Sequence, residues 1–201
     1  MIIATMCSLN LISQTSTTDP GVVINGVKWA TRNVDRPGTF ATKPETAGMF
    51  YQWNRKIGWS ATNPTINSSG GTTWNNNTPT GTIWSKANDP SPAGWRVPTR
   101  EEILKLLDKD KVRSEWTTVN GITGRKFTDK TTGKFLFLPA AGFRYCEGGY
   151  GTIEGAGWGS NYWSSTQRDS RVAFELYFNN DSVGEGVFDL CDGLLIRSVA
   201  E

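Results

Sequence analysis

The stretch Asn161–Val199, NYWSSTQRDSRVAFELYFNNDSVGEGVFDLCDGLLIRSV, decides the fold because its alternating apolar and polar residues are typical of β-strands. Successive strand residues point to opposite faces of a sheet. The other face of 172–178 carries Glu175 and Tyr177, which have no reason to be buried, so we expect them to meet solvent or a ligand. The face predicted to pack in the core carries Val172, Phe174, Leu176 and Phe178.

The rest of this stretch alternates less regularly. Leu194 and Ile196 are predicted to share one side of a final strand, with Leu195 and Arg197 on the opposite side. An outward Leu195 has no solvation reason to be leucine, so it is a candidate ligand contact. The connection 179–193 ends in VFDLCD, an apolar and acidic mixture that a simple connector does not need.

Composition limits the class of protein. The 201 residues, 37% of them hydrophobic, fit one domain with many turns, in which nine Trp and nine Phe supply much of the packing. The net charge of +2 is spread along the chain without a basic run, so nucleic acid is not expected as a partner. The chain has no histidine, which excludes Ser-His-Asp and Cys-His catalysis and the commonest metal ligand. No cofactor is predicted.

The three cysteines are too few and too scattered for a disulfide framework, and no Cys-x-x-Cys spacing indicates zinc. Cys146 and Cys191 could form a single bridge, but two unrelated thiols are the favoured interpretation.

The N-terminal residues 1–19 are predicted to be an arm or a signal-like remnant. The run MIIATMCSLNLISQ is apolar, but the first cation is Lys28, so the positively charged start of a signal peptide is missing. Cys7 followed by serine faintly resembles a lipoprotein attachment site, although Met6 stands where a small residue should be. No later stretch approaches the ~20 apolar residues of a membrane span. The domain, 20–201, is therefore expected to be soluble.

Patterns before the C-terminal stretch predict a mixture of strands and helices. Asn25-Gly26 predicts a hairpin turn between 22–24 and 27–30. The apolar spacing in 44–57 predicts a helix with one buried stripe formed by Met49, Phe50, Trp53 and Ile57.

Residues 58–92 carry Trp59, Trp74 and Trp84 among polar and turn residues and predict a long ordered loop. A second helix is expected after Thr99, because Glu102 three residues later completes a capping box. Short strands joined by Lys130–Gly133 follow in 122–145. The predicted fold class is α+β.

Six motifs in order give the chain a resemblance to a known family. They are VKWATRNV, AGMFYQWN, NDPSPAGWRVPTREE, FLPAAGFR, YWSST and the closing Gly-x-x-x-Arg-Ser-Val. Together they resemble the Fibrobacter succinogenes major paralogous domain over residues 20–201. The resemblance implies a C-type lectin-like fold similar to the formylglycine-generating enzymes, with two helices, long ordered loops and a terminal antiparallel sheet.

Within that family, 160–197 resembles the variable region of proteins diversified by a retroelement, in which a reverse transcriptase randomises the adenines of a template repeat. Glu175 and Glu185 depart from this pattern, because adenine changes in an AAC codon cannot produce glutamate. The resemblance implies a framework of Tyr162, Trp163, Ser164, Ser165, Thr166, Ala173, Leu176, Phe178, Val183, Gly193, Ile196, Arg197 and Val199. The candidate ligand-binding residues are Arg168, Asp169, Arg171, Glu175, Tyr177, Asp181, Ser182, Glu185, Val187, Phe188, Asp189, Leu190, Asp192 and Leu195.

The leading hypothesis is an adhesin-type display protein on a cell surface or phage particle. Its variable face would bind a protein or glycan on another cell, phage or host, with Arg and aromatic side chains as anchors. The alternative is a structural domain that decorates a surface layer or fibre without diversification.

Two further functions are less favoured. An enzyme of the formylglycine-generating type would need closely spaced cysteines, which Cys146 and Cys191 are not. Calcium-dependent sugar binding would need the oxygen-rich lectin motifs, which are missing, although Asp181, Asp189 or Asp192 could hold a structural cation. No catalytic residue and no metal ligand are predicted.

Overall fold

The computed structural model describes residues 16–201 and consists mainly of short strands. The first part of the chain contributes β1 to β5, which are Val22–Ile24, Val27–Trp29, Phe50–Gln52, Gly58–Trp59 and Trp95–Arg96. The helix α1, Arg100–Leu107, follows. The remaining strands, β6 to β15, are Val112–Val119, Ile122–Asp129, Phe135–Pro139, Phe143–Tyr145, Thr152–Glu154, Gly159–Gln167, Val172–Asn179, Val183–Asp189, Gly193–Leu194 and Val199–Ala200.

The strands form four sheets, and all pairings between the named strands are antiparallel. Two sheets are meanders of consecutive strands, β6-β7-β8 and β11-β12-β13. The other two join distant parts of the chain, in the orders β1-β2-β15-β5 and β10-β9-β14-β3-β4. The meander β11-β12-β13 positions the candidate site.

The prediction of an α+β, C-type lectin-like fold with two helices is wrong. In the described residues α1 is the only α-helix, accompanied by two single 3₁₀ turns, and strands spread over four sheets make up the regular structure. The fold is mostly β.

The helix predicted in 44–57 fails for a reason of backbone geometry. Gly48 and Asn54 both have positive φ, at 72° and 52°, and a side chain at Gly48 would overlap the Val34 carbonyl. Between them lies β3, whose three residues are all buried, with Phe50 in one core cluster and Tyr51 in the other. The apolar spacing taken as a helical stripe thus belongs to a strand covered on both faces, and Ile57 is exposed.

The capping box is confirmed. The Thr99 side chain accepts a hydrogen bond from the Glu102 amide at 3.3 Å, and the Glu102 carboxylate accepts one from the Thr99 amide at 2.8 Å. Ile103 and Leu106 are buried, whereas Leu104 is exposed because α1 buries only one narrow face.

The hairpin at Asn25-Gly26 is also confirmed. Both residues have positive φ, at 46° and 77°, as a type I′ turn requires, and β1 pairs with β2 around them. The turn is held from outside by the Asp129 carboxylate, which accepts a hydrogen bond from the Asn25 amide at 2.8 Å.

Tryptophans fix the long segment 58–92 to the core, as predicted. Trp59 and Trp74 lie with ring centroids 4.7 Å apart, and Trp84 packs against Trp53 at 5.6 Å. All four are buried. The segment can therefore be irregular and ordered at once, because burial of large rings compensates for its scarcity of strands.

Cys146 and Cys191 form a disulfide bond, so the favoured interpretation of two unrelated thiols is wrong. The bond joins the end of β9 to the segment before β14, which are neighbours in one sheet. Antiparallel pairing brings the two cysteines together across 45 residues of chain, which sequence spacing alone does not reveal.

Most of the predicted N-terminal arm, including Cys7, lies outside the described residues. Its last residues belong to the folded structure, since Asp19 accepts hydrogen bonds from the Gly21 and Thr31 amides and pairs with Arg32 at 2.9 Å. Within 16–201, no helix is long and apolar enough to cross a membrane.

Candidate functional site

A groove with a volume of about 630 Å³ opens beside the sheet β11-β12-β13, and we call it the Glu175 groove. Strand β12 forms its floor and the glycine-rich turn before β11 one of its rims. Its lining consists of Gly142, Phe143, Gly155, Trp158, Gly159, Ser160, Asn161, Glu175, Tyr177, Phe178, Asn179, Asn180, Asp181 and Phe188.

Strand register explains why the polar side chains of the floor meet. Asn161 on β11 is opposite Tyr177 on β12, so both point to the same face as Glu175. On the third strand the partners of Tyr177 and Glu175 are Gly184 and Gly186. A Cβ at Gly184 would lie 2.8 Å from the Tyr177 hydroxyl, and one at Gly186 would overlap Glu175 Oε1. The two glycines therefore provide the space that these side chains occupy.

Glu175 is a buried carboxyl group with few partners. It is 2% exposed, and burial raises its pKa to about 8, helped by the negative charge of Glu185 and opposed by a hydrogen bond from Asn161. That bond runs from Asn161 Nδ2 to Glu175 Oε2 at 3.3 Å. Among the described residues no other hydrogen bond reaches the carboxyl group, so Oε1 remains free at the floor of the groove.

Aromatic rings form the walls of the groove. Phe143 and Phe188 pack edge to face with centroids 4.7 Å apart, and Tyr177 lies on the floor between the strands. Trp158 stands at the rim and is 81% exposed. An exposed tryptophan beside a groove is typical of a binding surface, because its large apolar area is otherwise costly to leave in water.

The structure separates the candidate residues into exposed, half-buried and buried groups. The exposed ones are Arg168, Asp169, Arg171, Asp181 and Asp189. The half-buried ones are Tyr177, Ser182, Glu185, Val187 and Phe188. The buried ones are Glu175, Leu190, Asp192 and Leu195.

The expectation that Leu195 faces outward is wrong. The residue is 0% exposed and belongs to the main core, while its neighbours Leu194 and Ile196 pack in the second core cluster. Its carbonyl accepts from the Trp163 amide at 2.9 Å, and its own amide donates to the Asn161 carbonyl at 3.1 Å. When both faces of a segment are buried, alternate residues do not point to solvent, so the alternating pattern could not predict which side chains are exposed.

Leu190 and Asp192 are also corrected. Leu190 packs in the second core cluster, and its carbonyl accepts a hydrogen bond from the Trp53 amide at 3.1 Å. Asp192 is buried beside the disulfide bond, where Oδ1 accepts from the Cys146 amide at 2.7 Å. Burial raises the pKa of Asp192 to about 7. Both residues hold the segment before β14 in place and are not available to a ligand.

Glu175 was expected to be free to meet solvent and is instead buried, since Asn161, Tyr177 and the neighbouring strands surround it. It still lines the groove, so a ligand that enters the groove can reach it. Neighbouring side chains therefore cover part of the face of β12 that carries Glu175, and the groove gives access to the rest.

The candidate residues do not form one continuous face. Glu185 lies on the opposite side of the sheet, where Arg100 of α1 binds it through two hydrogen bonds of 2.6 and 2.8 Å. The same guanidinium lies 4.1 Å from the Phe174 ring centroid. Val187 shares that side, opposite Phe174. The pair ties α1 to β13, so Glu185 has a structural role.

The remaining exposed candidates lie at the two ends of β12. Arg168, Asp169 and Arg171 belong to the turn before it, close to Asp189 at the end of β13. Asp181 and Ser182 belong to the turn after it. Eight strand residues separate the two ends, or about 26 Å at ~3.3 Å per residue.

The aspartates do not converge on a cation site. Within 16–201 the only group of three metal-binding side chains that come together is Cys146, Cys191 and Asp192, all within 4.8 Å. Two of these are joined in a disulfide bond, so their sulfurs are not thiolate ligands.

Sequence reasoning missed Trp158, Phe143 and Asn161. The segment GAGWGS carried a usable signal, because a tryptophan between Gly157 and Gly159 has few neighbours able to bury it. Phe143 and Asn161 gave no such signal, since Asn161 reaches the groove through the register of β11 with β12 and Phe143 comes from a strand of another sheet.

Comparison of the chain with protein-family models, curated proteins and solved structures found no match.

Proposed function

We propose that this chain is a ligand-binding display protein of the adhesin type, whose C-terminal region is diversified by a retroelement to recognise variable protein or glycan ligands. It acts at a cell surface or on a phage particle, and its ligand lies on another cell, phage or host. The observation that carries the binding role is the Glu175 groove.

The groove has the chemistry of a recognition site. Its aromatic walls offer large contact area at low conformational cost, and its floor offers an amide and a carboxyl group with unused hydrogen-bonding capacity. The exposed Trp158 supplies a ring on which a ligand can pack. Phe143 and Phe188 also pack against the second core cluster, whereas Trp158, at 81% exposure, does little to hold the fold.

The distribution of burial supports diversification of the tail. The framework residues Trp163, Ala173, Leu176, Ile196 and Arg197 are fully or almost fully buried, where substitution is costly. The turn 168–171 and the turn after β12 are exposed, and substitutions at such positions usually change stability by about 0.5 kcal/mol or less. Variation confined to these turns and the groove rim is compatible with one stable scaffold.

The same reasoning removes some positions from the variable set. Leu190, Asp192 and Leu195 are buried, and Glu185 pairs with Arg100. We therefore expect these four residues to remain constant among diversified copies. Variation would concentrate in 168–171, in 180–182 and at Tyr177, Phe188 and Asp189.

Binding through the groove is tested with arrays of glycans and of bacterial surface proteins, probed with the wild-type chain and with Trp158→Ala. Tyr150→Ala is the matched control, because Tyr150 is 78% exposed and does not line the groove. We expect at least one ligand whose binding is lost in Trp158→Ala and kept in Tyr150→Ala. Ligands that bind both variants equally well would contradict a role for the groove.

Diversification is tested on the nucleotide sequence. The proposal expects a near-copy of the segment encoding residues 160–197 and a reverse-transcriptase gene beside this gene, with differences between copies at template adenines. A structural domain of a surface layer or fibre would instead have nearly identical tails in all copies. Equal variation at Leu195 and at Arg168 would contradict the expected pattern.

A further inference from the structure

Charge distinguishes the Glu175 groove from a general aromatic cleft. Among the described residues that line it, two are acidic, Glu175 and Asp181, and none is lysine or arginine. A cation is favoured over an anion here by the Asp181 carboxylate, by the aromatic rings and by Glu175, which can lose its proton when a cation arrives. The lining therefore indicates the sign of charge that a ligand brings into the groove.

We infer that the Glu175 groove binds a lysine side chain of a protein ligand, with the ammonium group against Glu175 Oε1 and the methylene stem between the aromatic walls. This inference rests on the binding role proposed above and specifies its ligand.

The free oxygen distinguishes lysine from arginine. A guanidinium group binds a carboxylate best through two parallel hydrogen bonds, one to each oxygen. Asn161 already donates to Oε2, so Oε1, which lies close to Gly186, is the one carboxyl oxygen without a hydrogen-bond partner among the described residues. A compact ammonium group needs only one oxygen and can direct its other N–H groups to water or ligand carbonyls.

The walls distinguish a lysine side chain from an amino sugar. The carboxyl group lies at the floor beside Tyr177, and the rings of Phe143 and Phe188 line the same groove. A flexible four-carbon stem can bury its methylenes along such walls while its charge reaches the floor. In an amino sugar the ammonium group is bonded directly to a hydroxyl-bearing ring, which would have to be desolvated in the same apolar space.

Binding of an ammonium group is linked to loss of the proton from Glu175. Burial and the charge of Glu185 across the sheet raise the pKa of Glu175, so it is largely protonated at neutral pH in the free protein. An arriving cation favours the carboxylate, and the displaced proton passes to solvent. The other ionisable groups around this carboxyl are Tyr177 on its own strand, Asp181 at the end of the groove, and Glu185, which Arg100 partly neutralises.

The test is isothermal titration of the wild-type chain with acetyl-Gly-Lys-Gly-amide and with the same peptide acetylated on the lysine side chain. We expect the free lysine peptide to bind about tenfold more tightly or better, since one charge-assisted hydrogen bond is lost on acetylation. Titration in buffers of different ionisation enthalpy should reveal proton release with the lysine peptide alone.

Glu175→Gln should remove both the preference and the proton release, whereas Glu101→Gln, an exposed carboxyl group on α1, should change neither. Equal affinity for the two peptides in the wild-type chain would overturn the inference without any variant. Two further ligands should be titrated, glucosamine and the peptide in which arginine replaces the lysine. Tighter binding of either one than of the lysine peptide would also overturn the inference.

Failure of this inference can be told from failure of the proposed function. If array ligands bind in a Trp158-dependent manner but the lysine peptide does not, the ligand class is wrong and the binding role stands. If no ligand depends on Trp158, the binding role itself is wrong.

Discussion

Replacing Glu175 with glutamine should make the protein less sensitive to alkaline pH. In the folded chain the pKa of Glu175 is about 8, against an ordinary value of 4.5, so the folded state holds this proton more tightly than the unfolded state does. Stability from this group is therefore fully present below pH 4.5 and is lost as the pH rises to about 8. Glutamine keeps the size and the hydrogen bond with Asn161 but cannot lose a proton.

The size of the effect follows from the two pKa values. At about 1.4 kcal/mol per pH unit, the loss is on the order of 3 kcal/mol at pH 7 and on the order of 5 kcal/mol above pH 8. This is a substantial part of the ~5–15 kcal/mol that stabilises a typical domain. The free energy of unfolding of Glu175→Gln should thus exceed that of the wild-type chain by an amount that grows with pH.

The assay is urea unfolding of both proteins, with the disulfide bond intact, at about pH 5, 7 and 8.5. Asp192, whose pKa burial also raises, adds its own pH dependence to both proteins, and this cancels in the difference between them. Glu101→Gln is the control and should follow the wild-type curve. A difference that stays constant from pH 5 to 8.5, or that shrinks, would refute the assignment of Glu175 as a buried group with a raised pKa.

Three further outcomes can be checked by urea unfolding at one pH. Replacing Cys146 and Cys191 with serine should lower the free energy of unfolding by about 2–4 kcal/mol, because the bond closes a loop of 45 residues; no change would mean that the bond does not form. Leu195→Ala should cost about 2–5 kcal/mol and Arg168→Ala about 0.5 kcal/mol or less, and similar costs would contradict their opposite burial. Thr99→Ala should cost about 1 kcal/mol through loss of the helix cap, and an unchanged midpoint would show that the capping box does not stabilise the chain.

Structural features that are fixed by residues close together in the chain could be predicted from the sequence. Asn25-Gly26 specifies a turn by its own backbone preference, and Thr99 with Glu102 specifies a helix start through bonds within one turn. Both features depend on residues close in the chain, so distant packing does not change them.

Apolar periodicity led to wrong predictions where its meaning depends on the parts of the fold that pack against the segment. The segment around β3 carries apolar residues at helical spacing, yet the core packs against both faces of β3 and buries all three of its residues. Leu195 was assigned an outward direction on the assumption that one face of its strand is open, whereas the core surrounds it. Periodicity reveals an exposed face only where one exists.

The groove itself could be predicted only in part. Tyr177 and Phe188 were among the candidates from strand parity and residue type, and both line it. Phe143 comes from another sheet and Trp158 from a separate turn, so the sequence does not reveal that the two line the same groove. The pairing of Glu175 with a glycine on the adjacent strand likewise depends on register.

The buried guanidinium of Arg197 ties the C-terminal residues to the N-terminal part of the fold, so the first sheet is complete only when the end of the chain is in place. It donates to Asn33 Oδ1 at 2.8 Å and to the Phe137 carbonyl at 3.0 Å, and β15 then pairs with β2 of the opening hairpin. Loss of the residues after 196 would therefore leave the Asn33 side chain without its guanidinium partner and the first sheet without the strand that lies between β2 and β5.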